Sequence, residues 1–326
     1  MVIGIIGAGA SGMAAALAAA ENEQVQVILL EPQARLGRKP AATGNGRCKL
    51  TNLHADGGGY HGDDASFAAP VLARFPVEDT LDWFRAMGLY TVAEESGRVY
   101  PYSDQANSVV DVLRFALEKP NIQLLTGFEV KKVKSSGNGF HVESAEEAIF
   151  CDKLIVACGG LAGTKLGGSM SGYLLLRSFG HKTTKLRPTL VQLKSSWGGC
   201  ASRKGVRTNC HVQIQHDGNL HLESSGELQF TDFGLSGPVI FGVSRDTWQG
   251  RGKWIARLDF LPDMEEEVLK TELLRRKQTN WNAEELLTGI LHNRLGRILT
   301  QNAGIKDKWK ITDLRDDEIE AVCRTV

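Results

Sequence analysis

Gly7-Ala8-Gly9-Ala10-Ser11-Gly12 lies immediately behind the short apolar run Val2–Ile6, and that order constrains the fold more than any other feature. Val2, Ile3, Ile5 and Ile6 are β-branched and cut off by glycine, which favours a buried parallel strand over a helix. Gly7 permits a tight turn, Gly9 lets the backbone come close to an anion, and Gly12 lets the next helix pack on the strand. Met13 to Ala20 is alanine-rich and predicts that helix. The amides of Ala10, Ser11 and Gly12 then fall at a helix N-terminus, where the dipole favours negative charge.

Val25–Leu30 is a second apolar run, and Glu31 closes it. Its distance from the glycines is close to the roughly 20 residues expected of a ribose-binding acid. A glycine-rich turn alone occurs in many α/β proteins. Strand, helix, second strand and acid in register predict one βαβ unit for a dinucleotide, with pyrophosphate at Gly7–Gly12 and ribose at Glu31. These residues do not separate FAD from NAD.

At 326 residues, 42% of them hydrophobic, the chain has room for about two domains with sizeable cores. Lysine plus arginine and aspartate plus glutamate both number 38, so no basic surplus recommends nucleic acid or an anionic membrane as a partner. The expected partner is a small-molecule substrate; the oligomeric state is open. Cys48, Cys151, Cys158, Cys200, Cys210 and Cys323 show no paired zinc-type spacing and read as reduced thiols. The apolar N-terminus has no basic region before it, and no stretch approaches the roughly 20 apolar residues of a membrane span. A cytoplasmic protein without a metal site is expected.

Residues 32–62 hold Gly37-Arg38-Lys39, then Thr43-Gly44-Asn45-Gly46-Arg47-Cys48 and Thr51-Asn52. A loop this long is usually functional or disordered. Its glycines and donors suit a wrap over a phosphate or a ring; a solvated surface loop is the alternative.

These motifs, with Gly97–Pro101, Ala157-Cys158-Gly159-Gly160, Pro188–Val191 and Phe230–Pro238, together resemble the BaiN-like (HI0933-like, aminoacetone oxidase-like) FAD-binding, NAD(P)-linked oxidoreductases. The likeness runs in order from residue 4 to about 240. It implies a Rossmann-type α/β FAD-binding domain of the glutathione-reductase-like class, interrupted by a β region and a small helical subdomain. It also implies FAD, with NAD(P)H as a candidate donor. Hydride would pass through flavin N5 from NAD(P)H or an organic donor to a small organic acceptor, such as an activated double bond, or to dioxygen.

The resemblance further implies a flavin under the loop carrying Gly37, Arg38, Lys39, Thr43, Gly46, Arg47 and Cys48. It puts adenine near the Val130 backbone and a second flavin motif at Ala157, Cys158 and Gly159. Arg47 is the candidate for stabilising charge on reduced flavin or a substrate carbonyl, with a surface arginine as the alternative. Asn52 and Tyr100 are candidates for orienting substrate. Three departures stand out: Asn45 replaces a usual glycine, Lys49 a usual asparagine, and Leu161–Thr164 with Gly168–Tyr173 differ from the family pattern. Relatives also carry a glycine-rich C-terminal segment, and this chain ends at Val326 before it. A chain that keeps the nucleotide half of the site and loses the flavin half is therefore expected. A flavin- or nucleotide-binding module without turnover is the rival reading.

Phe75, Leu81, Phe84 and Met87, and then Val109, Val110, Leu113, Phe115 and Leu117, predict two core helices. Gln123–Thr126 and Glu129–Val133 read as a strand pair broken at Gly127, Phe140–Glu143 as half of a hairpin, and Lys153–Ala157 as a buried strand. His211–Gln215 and Leu220–Leu222 form a hairpin around Asp217-Gly218, with Val212, Ile214, Leu220 and Leu222 on one face and His211 and His221 on the other. After Trp254–Phe260, leucine stripes predict helices over 264–277 and 283–301, with Asp263 and Asn282 as N-caps, Gly304 as a stop, and a further helix beginning in the tail that starts at Lys306. The expected division is an FAD-binding domain over 1–187, a β-rich inserted domain over 188–262 and a helical subdomain over 263–326.

Overall fold

The computed structural model describes residues 1–55, 59–245, 247, 252–305 and 309–326. Parts of the expected 32–62 loop, of the β region before Trp254 and the start of the tail at Lys306 lie outside them. The chain forms two compact units, Met1–Thr184 and Lys185–Val326.

In the first unit, β1 (Val2–Ile6), α1 (Ala10–Ala19) and β2 (Gln26–Glu31) form the expected βαβ unit. Next come α2 (Arg38–Ala42), β3 (Thr51–Asn52), α3 (Ala69–Leu72), α4 (Val77–Ala86), β4 (Thr91–Ala93), β5 (Arg98–Pro101) and α5 (Ala106–Ala116). The unit continues through β6 (Ile122–Thr126), β7 (Lys132–Ser136), β8 (Gly139–Glu143), β9 (Ala148–Cys151), β10 (Lys153–Val156) and α6 (Ser171–Ser178). Strands β10, β1, β2 and β6 make a parallel sheet in that order, with Ile5 opposite Leu29 on one side and Ile155 on the other. Ile5 and Leu29 are fully buried beneath Met13, Ala16 and Leu17 of α1, where alanines let helix and sheet approach closely.

Three expectations change here. Residues 122–126 and 129–133 do not pair: β6 joins the parallel sheet beside β2, while β7 pairs with β8 in an antiparallel three-stranded sheet. Gly127, at φ 76°, turns the chain out of the first sheet, and buried Phe128 donates its N–H to Glu31 O. Strand β10 lies at the sheet's edge, so Ile155 is exposed instead of buried. Phe75 precedes α4, and it and Phe115 are both exposed; Val109, Leu113 and Leu117 carry the buried stripe of the second helix.

The second unit holds β11 (Leu193–Lys194), β12 (Arg207–His216), β13 (Asn219–Phe230), β14 (Gly234–Ser236), α7 (Pro238–Val243) and β15 (Trp254–Asp259), then α8 (Glu266–Arg276), α9 (Asn293–Asn302) and α10 (Asp316–Cys323). Its sheet runs β11-β14-β13-β12-β15. Asp217 and Gly218 both have positive φ, the geometry of a tight hairpin turn. The register shifts between Ile214, opposite Leu222, and Gln215, opposite Leu220. His221 is the extra residue, so Leu220 points outward against expectation and is exposed. His211 bonds Ser225 Oγ through Nδ1, and His216 stacks on Trp254.

Sheet and helices of this unit share one hydrophobic core, from Phe230 and Ile240 to Leu273, Leu295 and Ile319. Helix α8 begins after Glu265 with no side-chain cap, so Asp263 does not serve as one. The helix expected over 283–301 is broken: one turn at 283–285 is followed by irregular chain, and α9 starts only at Asn293. Gly289 has φ 81°, and the buried Arg276 guanidinium donates to the freed carbonyls of Leu286 and Thr288 at 2.8 Å each. Asn282 does occupy the N-cap position of its turn, where Glu285 Oε2 accepts from its backbone N–H at 3.2 Å.

Candidate dinucleotide site

The glycine turn is closed on one side and open on the other. A Cβ on Gly7 would stand 2.6 Å from Ala157 O, and one on Gly12 would stand 1.7 Å from Gly7 O, so neither position admits a side chain. A Cβ on Gly9 would meet nothing within 4 Å. Ala10 and Ser11 are exposed, and no side chain caps the start of α1. Uncapped amides at the head of a ten-residue helix, facing open space over a glycine, are the donor set a diphosphate requires.

Glu31, at the end of β2, is 9% exposed and turned toward this turn. Its Oε2 accepts from Ala8 N–H at 2.8 Å and its Oε1 from Gln33 N–H at 3.0 Å. A carboxylate has about four acceptor positions, so two remain for ribose hydroxyls. Gly37 donates its N–H to Ala8 O at 3.1 Å and sits at φ 63°. A Cβ there would collide with Val110 at 2.9 Å.

Arg38 reaches Gln33 Oε1 at 2.9 Å and Lys165 O at 3.3 Å. It thereby links the stretch after Glu31 to the chain that follows β10. Lys39 lies over that chain: a Cβ on Gly159 would be 3.7 Å from Lys39 Nζ, and one on Gly163 would be 3.7 Å from Lys39 Cε. Ala157 and Cys158 pass against Gly7, so the two glycine-rich segments at the carboxyl ends of β1 and β10 abut. A Cβ on Gly172 would stand 3.2 Å from that of Cys158, a packing that favours a small side chain at 158. Burial pushes the Cys158 and Cys48 thiols above their ordinary range. Val130 is half-buried against the core that contains Phe128 and Val133.

The segment Thr43–Cys48 is wound by left-handed residues: Gly44, Asn45, Gly46 and Cys48 all have φ between 57° and 85°. Asparagine is among the few side chains that tolerate this region, which accounts for Asn45 in place of glycine. Thr43 Oγ1 donates to Pro40 O, and Cys48 N–H to Thr43 O at 3.1 Å. Arg47 stacks on the ring of buried Tyr100, 3.9 Å from its centroid. Its Nε pairs with Asp104 and its Nη1 with Glu94 at 2.9 Å. Asp104 and then Glu94 hold the guanidinium still more firmly in its charged form. Asn52 pairs opposite Arg98 in the β3–β5 ladder and accepts from His54 N–H at 2.8 Å through Oδ1, and among the described residues no group accepts from its Nδ2.

The structure therefore gathers Gly7–Gly12, Glu31, Gly37–Lys39 and Ala157–Gly159 around one turn. Arg47 lies apart from that turn, on Tyr100 of β5; Asn52 is on the neighbouring β3, and Cys48 is buried in the core with Val109 and Leu113. Sequence reasoning missed Ala8, Gln33, Glu94 and Asp104. Gln33 lies two residues beyond Glu31, a spacing that suits a local backbone bond. Nothing in the sequence marks Glu94 or Asp104 among the other acids, because their partner is far along the chain. Among the described residues no helix is long and apolar enough to cross a membrane.

The chain is 38% identical to a 3-dehydro-bile acid delta(4,6)-reductase of Clostridium scindens over 99% of its own length and 80% of that protein's. It is 30% identical to a ribosomal RNA dihydrouridine synthase of Escherichia coli, covering 96% of this chain and 77% of the relative. Among solved structures, THI4 of Thermovibrio ammonificans aligns with 63% of this chain and 70% of its own, at 13% identity and a TM-score of 0.36. The family profile described as the HI0933-like protein Rossmann domain matches residues 1–296, and the chain belongs to that family of oxidoreductases with a Rossmann-type FAD-binding domain.

Proposed function

We infer that the protein binds FAD and acts as a reductase, moving hydride from NAD(P)H or an organic donor to a small organic acceptor. The observation that carries this reading is the glycine turn, sealed beneath Gly7 and Gly12 and open above Gly9, with Glu31 fixed beside it by two backbone bonds. When bound, FAD supplies the hydride chemistry, which no side chain here provides. The chain's own residues bind and orient. The amides of Ala10, Ser11 and Gly12 donate to the diphosphate, Glu31 accepts from the adenosine ribose, and Val130 offers backbone to the adenine.

The Thr43–Cys48 segment borders the flavin, with Arg47 holding it in place through Glu94, Asp104 and Tyr100. Its two ion pairs make Arg47 a support of that segment more than a free charge for the ring. Asn52 Nδ2 is the donor available to a substrate carbonyl, where a hydrogen bond would strengthen as negative charge develops.

The relatives' names suggest the class of acceptor. A 3-dehydro delta(4,6) system and a uracil ring each offer a carbon–carbon double bond activated by a carbonyl, and reduction of that bond is the shared chemistry. With 38 basic and 38 acidic residues, the chain has no surplus charge to draw a polyanion, so a small conjugated carbonyl compound is the favoured acceptor.

The test begins with an absorption spectrum and identification of the nucleotide released on heating. FAD is expected; FMN alone, or no flavin after incubation with FAD, overturns the cofactor assignment. Anaerobic NADH and NADPH titrations, followed by a panel of small enones and a uridine-containing RNA, then define donor and acceptor. Reduction of the RNA alone overturns the small-molecule part.

A further inference from the structure

Arg203, in the second unit, is a buried cation with no counter-ion among the described residues. It ends the helical turn Ala201–Arg203 ahead of β12 and is 4% exposed. Its Nη1 donates to Gly199 O and, at 2.9 Å, to Ser202 Oγ. Its Nε is enclosed without an acceptor, and among the described residues nothing accepts from Nη2. Nε and Nη2 form an edge of the guanidinium that can take two oxygens of one oxyanion. A second arginine deepens the imbalance of charge. Arg294 stands in the first turn of α9, where the helix dipole favours an anion and no acid is present. Its Nη2 reaches the carbonyl of Lys204, the residue after Arg203, at 3.5 Å, and among the described residues no carboxylate pairs with it. Asp232 is taken by Lys204 at 2.8 Å. Burial pushes the Cys200 thiol above its ordinary range, so it supplies no negative charge. Burial, and to a smaller extent Arg294, pull the Arg203 guanidinium below its ordinary range.

We propose that Arg203 and Arg294 form an oxyanion site in the second unit, fitted to the phosphate of a monoester. A charge taken out of water is costly unless it is paired, and the partner that this pair of arginines lacks within the fold would arrive from solution. Two guanidiniums without carboxylates match the two negative charges of a phosphate monoester, whereas a carboxylate would leave one of them uncompensated. The division of labour follows from burial. Arg203, fixed through Nη1 and flanked by the Trp197 ring with its centroid 5.3 Å from Cζ, presents its remaining edge in a set direction. Arg294, exposed at the head of α9, closes on the anion from solvent, and the dipole of that helix adds to the attraction. The site lies wholly within Lys185–Val326, so it stands or falls independently of the FAD reading. Its role is recognition of a charged group on a small molecule, with no redox step assigned to it.

The test is a titration of the whole chain with inorganic phosphate, and separately with acetate, at constant ionic strength and about pH 8, where phosphate is mainly a dianion. The readout is the carbon-detected NMR signal of the Arg203 Nε–Cζ pair, which reports this site and not the glycine turn. Phosphate is expected to shift the Arg203 signal saturably, and acetate to do so more weakly. Arg294→Met, an exposed change that leaves Arg203 in place, should weaken phosphate roughly ten- to a hundredfold for the loss of one charge-assisted bond. Arg275→Met, which removes the same charge from α8, should leave the phosphate affinity as it was. An Arg203 signal that phosphate does not move overturns the proposal, as does equal phosphate affinity in Arg294→Met and wild type. Tighter binding of acetate than of phosphate overturns the phosphate assignment, and an equal loss in Arg275→Met would show that only the overall charge matters and no site is built.

Discussion

Gly9 and Gly12 belong to one turn, yet they answer to different demands. A side chain on Gly12 would enter the Gly7 carbonyl, whereas one on Gly9 would project into open space. Gly9→Val should therefore keep the fold, with a melting temperature close to wild type, and lose FAD because the branched side chain takes the space over which the diphosphate approaches. Gly12→Ala should destabilise the first unit itself, visible as a lower urea midpoint with or without cofactor. The reverse pattern would mean that the turn's open side is not the binding side. These glycines were legible in the sequence because each serves a need met within a few residues. The left-handed backbone at Cys48 was not, since thiol side chains give no signal for positive φ and the conformation is set by the tight turn from Thr43. The pairing of Arg47 with Glu94 and Asp104 was hidden for another reason: it joins residues about fifty positions apart, and local pattern carries no such information.

Among elements, the βαβ unit and α8 were read correctly from their periods, whereas the equally periodic stripe over 283–301 was not. The βαβ unit follows from local apolar runs, and α8 from its leucines. The break between residues 286 and 292 depends instead on Arg276, which arrives from α8 to satisfy two carbonyls the interrupted helix leaves bare. Arg276→Met should cost about 2–4 kcal/mol, since buried acceptors then lack partners, and chemical denaturation of the second unit measures it. A loss below about 0.5 kcal/mol, the scale of an ordinary surface change, would show that the break is maintained by packing alone. The same helix predicts an acid effect. Arg275 and then Arg276 hold the Glu272 carboxyl at about 2, below its ordinary 4.5. A carboxyl depressed in the folded state stabilises it above the ordinary value, and the benefit is lost as pH falls from about 4.5 toward about 2. Glu272→Gln should therefore show a shallower fall in urea midpoint across that window than wild type; parallel curves would assign the acid sensitivity elsewhere.

At the scale of the whole molecule, each unit encloses its own core. Ile5, Met13 and Leu29 centre one in the first, a smaller cluster lies around Phe128 and Val142, and Phe230, Leu273 and Leu295 belong to the core of the second. Every residue assigned to the dinucleotide lies within Met1–Thr184. A ligand stabilises only the cooperative unit whose folded form binds it, and at a hundred times its dissociation constant it adds about 2.7 kcal/mol. For a unit of this size that corresponds to a rise of roughly 5–10 °C in melting temperature. Scanning calorimetry is therefore expected to resolve two transitions, of which ADP or FAD raises one and leaves the other in place. Hydrogen exchange should assign the raised transition to residues 1–184, with protection strongest in β1, α1 and β2, the elements that carry the glycine turn and Glu31. A single transition that moves as a whole on adding ADP would mean that the two cores melt as one cooperative body, and protection concentrated in the second unit would place the nucleotide outside the glycine turn.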